Sequence, residues 1–109
     1  MQQDVLKRVI CDRLNLRAYT ATTLSTVRDI TSRHGTSPNA TVALGRTVTA
    51  ATLLSATLKP DSDQSLLLKI EGSGPIREIH AQADARGNIR GYPANPVPDL
   101  DEDIGGISF

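Results

Sequence analysis

The chain has 109 residues, which is enough for one domain with a modest hydrophobic core and leaves no room for a second. Twelve basic and twelve acidic residues give a formal net charge of zero, so no global positive field favours nucleic acid or an anionic membrane. Aromatic residues make up 3% of the chain, so aliphatic side chains and alanine must fill the core.

The first predicted element is a β-hairpin. Residues 5–11 and 16–23 are apolar or β-branched with interleaved charges, and residues 12–15 between them are turn formers. The same stretch also fits a helix over residues 4–14, because its apolar residues recur at helical spacing: Val5, Leu6, Val9, Ile10 and Leu14. The sequence leaves both alternatives open.

A short helix is predicted next, with Thr23 as its cap and Gly35 at its end. Its apolar face consists of Leu24, Val27 and Ile30. His34 stands in the last turn, and no acid, cysteine or second histidine accompanies it there. We therefore interpret His34 as a cation that favours the helix dipole rather than as a ligand or general base.

A long central helix is predicted from Pro38 to Lys59, with Ser37 as its N-cap and Pro60 as its stop. A helix of that length extends for about 33 Å. Many of its side chains are small, so another backbone can approach it closely. One apolar stripe runs along it: Leu44, Val48, Ala51, Leu54 and Leu58.

An antiparallel meander of three strands is predicted at the end of the chain. Residues 64–71, 78–85 and 89–92 have the alternation or composition of strands, and residues 86–88 form the second turn. His80 falls on the polar face of the second strand, where we expect it to be solvated. Together the elements predict an α+β fold with a mixed or antiparallel sheet, a long central helix and a shorter preceding helix.

The glycine-rich segment "KIEGSGPIR" fails the test for a phosphate-binding loop. A dinucleotide fingerprint needs a third glycine where Arg77 stands, and Pro75 removes an N–H that a phosphate would use. The residues after Lys69 alternate as in a strand, whereas a phosphate-loop lysine opens a helix. We interpret the segment as the turn of a strand pair, in which Gly72 and Gly74 permit positive φ.

No other motif predicts catalysis or a metal site. The acidic loop at 99–103 resembles the start of a calcium loop, but Ile104 stands where glycine is required. Cys11, the single cysteine, has no disulfide partner and supplies no zinc site alone. No run approaches the roughly 18 apolar residues of a membrane span. We therefore predict a cytoplasmic protein that is not an enzyme, without catalytic, cofactor-binding or metal-binding residues.

Four stretches of the sequence act as markers of a family. They are "LRAYTATTL" (16–24), "RHGTSPNATVALGRTVTAATLLSATLK" (33–59), "LLLKIEGSGPIREIHAQADARGNIRGY" (66–92) and "NP" (95–96). Together they closely resemble the N-terminal part of the heat shock protein 33 family, the redox-regulated holdase chaperones. The stretches follow one another in order without large gaps, so the resemblance is far more specific than any single glycine pair.

The resemblance implies an ATP-independent chaperone whose N-terminal α+β core offers apolar surface to unfolding proteins and prevents their aggregation under oxidative stress. It also implies a C-terminal switch of four zinc-bound cysteines that form disulfides and release zinc. This sequence contains none of them, because Cys11 lies in the wrong part of the chain. We therefore expect residues 1–109 to be an incomplete N-terminal core domain, without a cofactor of its own and without the zinc and redox-switch domain.

The candidate surface for binding clients or for assembly is an apolar row on the predicted sheet: Leu66, Leu68, Ile70 and Ile79. Such a row is also what an ordinary core face looks like. The alternative function is an α+β interaction or dimerisation module without client binding, which pairs with a second copy through its long helix or a sheet edge. The expected partners are unfolded or partly folded proteins or a second copy, and neither nucleic acid nor a membrane.

Overall fold

The computed structural model describes residues 3–97, so the acidic loop at 99–103 lies outside the described residues. These residues form two helices and five strands in two antiparallel sheets, which confirms the α+β prediction. In chain order the elements are β1 (Leu6–Cys11), β2 (Leu16–Ala21), α1 (Leu24–His34), α2 (Pro38–Ser55), β3 (Ser65–Glu71), β4 (Glu78–Asp84) and β5 (Ile89–Pro93).

The N-terminal residues form the hairpin and not the alternative helix. β1 pairs antiparallel with β2, from Leu6 opposite Ala21 to Cys11 opposite Leu16. In the turn between them, Asn15 adopts a left-handed conformation with a φ of 53°, which asparagine tolerates better than most residues. The turn formers and β-branched residues therefore outweigh the helical spacing of the apolar side chains.

Both helices begin at the predicted residues, but the way in which they are capped differs from the prediction. Neither Thr23 nor Ser37 uses its side chain to cap the helix that follows it. The carboxylate of Asp4 caps α1 instead, because it accepts hydrogen bonds from the N–H groups of Ser25 (3.2 Å) and Thr26 (2.7 Å). The predicted threonine cap is therefore wrong, and a residue just before β1 satisfies the free amides of α1.

The end of α1 matches the prediction. Arg33 and His34 occupy its last turn, where positive charge favours the helix dipole. Gly35 follows with a φ of 59°, and its N–H bonds back to Ser32. This left-handed cap ends the helix at the predicted residue.

The end of α2 comes earlier than predicted, at Ser55 instead of Lys59. The N–H groups of residues 56–58 bond to carbonyls three residues back, which is the tighter pattern of a helix end. Leu54 also leaves the predicted stripe, because it is exposed while Ser55 is buried. Eleven residues make about three turns, so Ser55 and not Leu54 lies on the same face as Leu44.

The hydrophobic core lies between α2 and the sheet of β3, β4 and β5, which confirms the predicted meander. Leu44 and Val48 of α2 are fully buried against Ile79, Ala81 and Ala83 of β4. Small residues set the spacing between the layers, as predicted for this helix. A Cβ on Gly91 of β5 would lie 2.9 Å from Val48 Cγ2, and one on Gly45 would lie 3.0 Å from Val27 Cγ1 of α1.

The glycine-rich segment between β3 and β4 is the turn of a strand pair, but not for the predicted reason. Neither Gly72 nor Gly74 has a positive φ, whereas Arg77 adopts a φ of 68°. The N–H of Gly72 bonds to the carbonyl of Arg77 at 2.8 Å and closes the turn. The residue that stands in place of a third glycine therefore takes the left-handed conformation.

Candidate functional site

The four residues of the predicted apolar row lie on the face of the sheet that packs against α2. Ile79 is buried in the core with 6% of its surface exposed, and Leu66 and Leu68 are half-buried against the same cluster. Ile70, near the end of β3, is 46% exposed. The row is therefore largely a core face, and a client-binding role for it stays a prediction.

A concentrated group of exposed apolar side chains lies instead on the hairpin. Val9, Ile10, Leu14 and Leu16 form what we call the hairpin surface; each is more than half exposed, and Leu14 reaches 65%. Val9 and Leu16 lie on one face of the two-stranded sheet, Ile10 lies on the other, and Leu14 lies in the turn. A sheet of two strands buries neither of its faces, so apolar side chains on both faces are exposed. In the sequence, this surface could have been recognised from a hairpin that no third strand follows.

The hairpin is also basic. Lys7, Arg8, Arg13 and Arg17 lie between residues 6 and 21, and Asp12 is the one acidic residue there. All five of these side chains are exposed. Because the whole chain is neutral, this local positive charge is hidden in the overall composition.

Hydrogen bonds close the hairpin at its base, and one further bond fastens it to the rest of the molecule. Val5 and Thr22 exchange two bonds, one from the N–H of Val5 to Thr22 Oγ1 (2.8 Å) and one from the N–H of Thr22 to the carbonyl of Val5 (2.9 Å). Arg8 donates from Nε to the carbonyl of Ala56, just past α2, at 2.8 Å. These bonds lie at the opposite end of the hairpin from Leu14, so the base is fixed and the tip projects.

Asp4 adds a further anchor at the base of the hairpin. Its carboxylate accepts bonds from the hydroxyl of Thr26 at 2.6 Å and from two amides of α1. The hydroxyl bond is the main cause that holds the pKa of Asp4 below its ordinary value of 3.8, and the amides act in the same direction. The ionised form of Asp4 is therefore the form that joins the hairpin to α1.

A second apolar surface is a shallow groove between α1 and α2, with a volume of about 680 Å³. Aliphatic side chains contribute most of its lining, among them Leu24, Val27, Val42 and Leu53. Arg46 contributes the charge at its border. This groove is the surface that the predicted helix-mediated pairing would use.

The outer face of the sheet carries a polar cluster around His80. The prediction that His80 is solvated is wrong, because its side chain is mostly buried in this cluster. Its ring stacks on Tyr92, with 4.9 Å between the ring centroids, and Nε2 lies 3.0 Å from the Glu78 carboxylate. This hydrogen bond, with help from Lys69, lowers the pKa of Glu78. Lys69 bonds to Glu71 at 2.9 Å, which raises the pKa of Lys69. The cluster pairs its charges internally, and we assign it a structural role.

Zinc, which the resemblance implies for a longer protein, finds no fitting donor set in the described residues. Within residues 3–97, no three side chains of His, Cys, Asp and Glu converge closely enough to hold a metal ion. Cys11 is half-buried in β1. Across the same residues, no helix is both long and apolar enough to cross a membrane.

Comparisons with known proteins agree on one family. The family model described as "Hsp33 protein" matches residues 4–108. Proteins named "33 kDa chaperonin" are 45% identical over 96 residues in Staphylococcus carnosus and 45% identical over 98 residues in Bacillus subtilis. The two alignments cover 88% and 90% of this chain but 32% and 33% of those proteins. The chaperonin of Aquifex aeolicus is 41% identical over 98 residues, which is 90% of this chain and 30% of that protein. The chain thus spans about a third of the length of the curated relatives it matches.

Proposed function

The chain belongs to the Hsp33 family, and on that premise we propose that it supplies part of the N-terminal core of an ATP-independent holdase chaperone. Such a protein binds unfolding proteins and prevents their aggregation under oxidative stress. The family match and the name chaperonin on the relatives support this function. Because the chain spans a third of those relatives, we further propose that residues 1–109 form an incomplete core domain of a longer chaperone.

The hairpin surface is the observation that carries the proposal. Burial of one large aliphatic side chain contributes about 1.5–3 kcal/mol, so four together give a gross gain of several kcal/mol. The cost of association offsets much of that gain, which suits weak and reversible capture of unfolded segments. Val9, Ile10, Leu14 and Leu16 are exposed without any change in the core, so this surface is available in the folded state.

The basic residues of the hairpin favour a particular class of client segment. Unfolding chains that expose apolar side chains next to acidic ones complement both features of the hairpin. The charge contribution is screened by salt, whereas the apolar contribution is not. We therefore expect capture of acidic clients to weaken as ionic strength rises and to retain a part that is insensitive to salt.

Redox regulation and zinc belong to the proposal for the longer protein. The resemblance assigns both to four cysteines, and this chain contains the single Cys11. We therefore expect this chain to hold clients equally well before and after treatment with peroxide, and a gain after treatment would contradict that assignment. A cytoplasmic location and the lack of enzymatic activity stay predictions.

Suppression of client aggregation tests the client-binding proposal. We expect the chain to reduce light scattering by a heated client protein, and the double variant Leu14→Ser/Leu16→Ser to lose most of that effect. The reason is that the two substitutions remove about half of the apolar side chains of the hairpin surface. Binding of a fluorescent unfolded client, measured by anisotropy, gives the same comparison without heat.

The matched control for that experiment is the double variant Leu54→Ser/Leu67→Ser. Leu54 of α2 and Leu67 of β3 are both exposed and lie outside the hairpin, and the control removes two exposed leucines as the hairpin variant does. This control should suppress aggregation as the unchanged chain does. Equal suppression by the hairpin variant and the control would remove the hairpin surface from the proposal, and circular dichroism would confirm that both variants are folded.

An assembly module without client binding is the second candidate function. The observation that favours it is β3, whose outer edge has no partner strand among residues 3–97. A chain that associates with itself but leaves client aggregation unchanged would support this candidate over the first. Light scattering coupled to gel filtration, run beside the aggregation assay, separates the two.

A further inference from the structure

We propose that the hairpin also inserts its tip into the surface of an anionic phospholipid bilayer, where it lies in the headgroup region. This membrane contact goes beyond the proposed function and does not depend on client binding. Apolar side chains at the tip would enter the boundary of the acyl chains, and the cations beside them would bind lipid phosphates. Three features of the hairpin support the contact: the side chains of its tip, their charges and its length.

The tip of the hairpin carries apolar side chains on both faces. Leu14 lies in the turn and is 65% exposed. Leu16 and Ile10 belong to the first two residue pairs after the turn, on opposite faces, and each is more than half exposed. The three side chains can therefore enter a membrane surface together, while the base, which Arg8 joins to the end of α2, stays in water.

Cations accompany these apolar side chains. Arg17 stands opposite Ile10 in the strand pair, and Arg13 lies in the turn. Within residues 3–97, the side chains of Lys7, Arg13 and Arg17 make neither an ion pair nor a hydrogen bond. A guanidinium with free donors binds phosphate oxygens in pairs. The cations of the hairpin are therefore available to lipid headgroups.

The charge of the hairpin, and not that of the whole chain, decides this contact. Four basic side chains and one acidic side chain leave residues 6–21 with a local net charge of +3. Charges more than a Debye length apart, about 8 Å at physiological salt, are largely screened from each other. Acidic residues elsewhere on the molecule therefore do little to weaken the attraction. The prediction that no membrane binds rests on the neutral whole chain, and for this element we infer the opposite.

The length of the hairpin limits how deep it inserts. Strand residues advance about 3.3 Å each, so the pair of Ile10 and Arg17 lies within about 10 Å of the tip. Interfacial elements bury their apolar side chains about 5–10 Å into the headgroup region, which matches that distance. Deeper insertion would strip water from the outer edges of both strands, which no third strand covers within residues 3–97. The hairpin therefore lies in the interface and does not span the bilayer.

A nucleic acid is the other polyanion that a basic hairpin could bind. Binding to single strands combines cations with exposed aromatic side chains on which bases stack. The hairpin has one aromatic side chain, Tyr19, which is half-buried and lies nearer the base. Exposed aliphatic side chains gain free energy at an acyl boundary and find no apolar partner along a phosphate backbone. A lipid surface therefore fits both the charges and the apolar tip.

Cosedimentation with lipid vesicles tests the contact. We expect the chain to bind vesicles that contain phosphatidylglycerol and phosphatidylcholine in equal amounts, and to bind vesicles of phosphatidylcholine alone about tenfold more weakly or less. Binding to the anionic vesicles should weaken as salt rises. Equal binding to both compositions, or no binding to either at low salt, would overturn the proposal.

Charge variants locate the contact on the hairpin. Arg13→Gln/Arg17→Gln should weaken binding to the anionic vesicles about tenfold or more, because it removes two cations beside the tip. The matched control Arg28→Gln/Arg46→Gln removes two exposed cations from the helices and should bind as the unchanged chain does. Asp12→Asn should strengthen binding about fivefold, because it removes the one acidic side chain of the hairpin. Equal losses in the two double variants would rule out the hairpin as the contact.

A tryptophan at the tip reports insertion directly. The chain has no tryptophan, so Leu14→Trp places a single fluorophore at the tip, and Leu54→Trp places one on the exposed side of α2 as the control. With anionic vesicles, emission from the first should shift to shorter wavelength and be quenched by brominated acyl chains, whereas emission from the second should change little. Both positions are exposed, so neither substitution disturbs the core.

Two further measurements separate a lipid surface from other ligands. Free glycerophosphate at the same phosphate concentration should leave the emission of the tip tryptophan unchanged. A shift with glycerophosphate would mean that the hairpin binds the phosphate ion, and a chain that binds DNA but no vesicle would assign the charge to nucleic acid. Either result would overturn the proposal.

Discussion

The hairpin and the sheet covered by α2 are built from the same kinds of residue, yet apolar side chains are exposed in the first and buried in the second. Val48 of α2 is fully buried, whereas Val9 of β1 is more than half exposed. β4 has a second layer against one of its faces, and nearly every side chain of β1 and β2 is at least partly open. The difference shows that a packed second layer, and not the local pattern, decides whether an apolar side chain is core or surface.

The same difference separates the region that stabilises the fold from the region whose apolar side chains are exposed for binding. The packed layers supply most of the apolar burial that holds the fold. The hairpin contributes little to that burial, so its apolar side chains are free to bind another chain. Substitutions should therefore have large effects on unfolding in the first region and small ones in the second.

The largest effect is expected from Leu44→Ala in the packed region. Leu44 is fully buried, so the loss of its side chain leaves a cavity and should lower the free energy of unfolding by about 2–5 kcal/mol. Urea denaturation followed by circular dichroism measures the change. Leu54→Ala, on the same helix but exposed, is the matched control and should change stability by about 0.5 kcal/mol or less. Similar losses in both variants would contradict the comparison between buried and exposed side chains.

An intermediate effect is expected from Asp4→Ala, at the junction of the two regions. Loss of the cap on α1 should cost about 1 kcal/mol near neutral pH. The pKa of Asp4 is lower in the folded state than its ordinary 3.8, so its contribution is complete above that value and is lost as pH falls through the folded pKa. Urea titrations of the unchanged protein and of Asp4→Ala, from neutral pH to a pH below 3.8, measure both free energies of unfolding. The two values should become equal at acidic pH.

Asp29→Ala is the control for the cap. Asp29 lies on the exposed side of the same helix and pairs with Arg33 at 3.2 Å, an ion pair that is worth about 0.5 kcal/mol at most. A loss from Asp4→Ala no larger than that of the control would mean that the cap contributes nothing beyond an exposed charge.

The smallest effect on stability is expected from Leu14→Ser at the tip of the hairpin. Leu14 is 65% exposed, so the free energy of unfolding should change by about 0.5 kcal/mol or less. The urea midpoint provides the measurement, and the unchanged chain provides the reference. A loss above about 2 kcal/mol would show that the tip is packed in solution, and the contrast between the two regions would fail.

Much of the fold could be predicted from local patterns. The alternation in β4 placed Ile79 and His80 on opposite faces, and Gly35 marked the end of α1 at the right residue. The turn formers indicated the hairpin, although helical spacing over residues 4–14 left a second possibility open. In each of these cases the structure depends on residues close together in the sequence.

The rest depends on residues far apart in the sequence. Asp4 caps α1 across more than twenty residues, and no local motif links it to Thr26. The half-buried state of Leu66 depends on how far α2 extends over the edge of the sheet. His80 is half-buried because Tyr92 lies opposite it on the next strand and stacks on its ring. The row from Leu66 to Ile79 was therefore identified as apolar, and the sequence left open whether it is a core face or an exposed surface.

The hairpin surface was missed for a related reason. Val9, Ile10 and Leu16 were predicted within strands, and strands are usually assigned one buried face. Here the chain turns directly into α1 after β2, so no third strand joins the pair within the described residues. The count of adjacent strands was the available signal, because an isolated pair exposes both of its faces.

The anchors of the hairpin also set an order of events during synthesis. The two strands of the hairpin lie next to each other in sequence, and such pairs form within about 1–10 μs once both are present. The bond from Arg8 to Ala56, however, has to wait until Ala56, which lies 48 residues after Arg8, has been added. Because translation adds about 5–20 residues per second, the hairpin spends seconds on the nascent chain before its last anchor is available. The hairpin can therefore take shape early, but its last anchor cannot form until the end of α2 has been made.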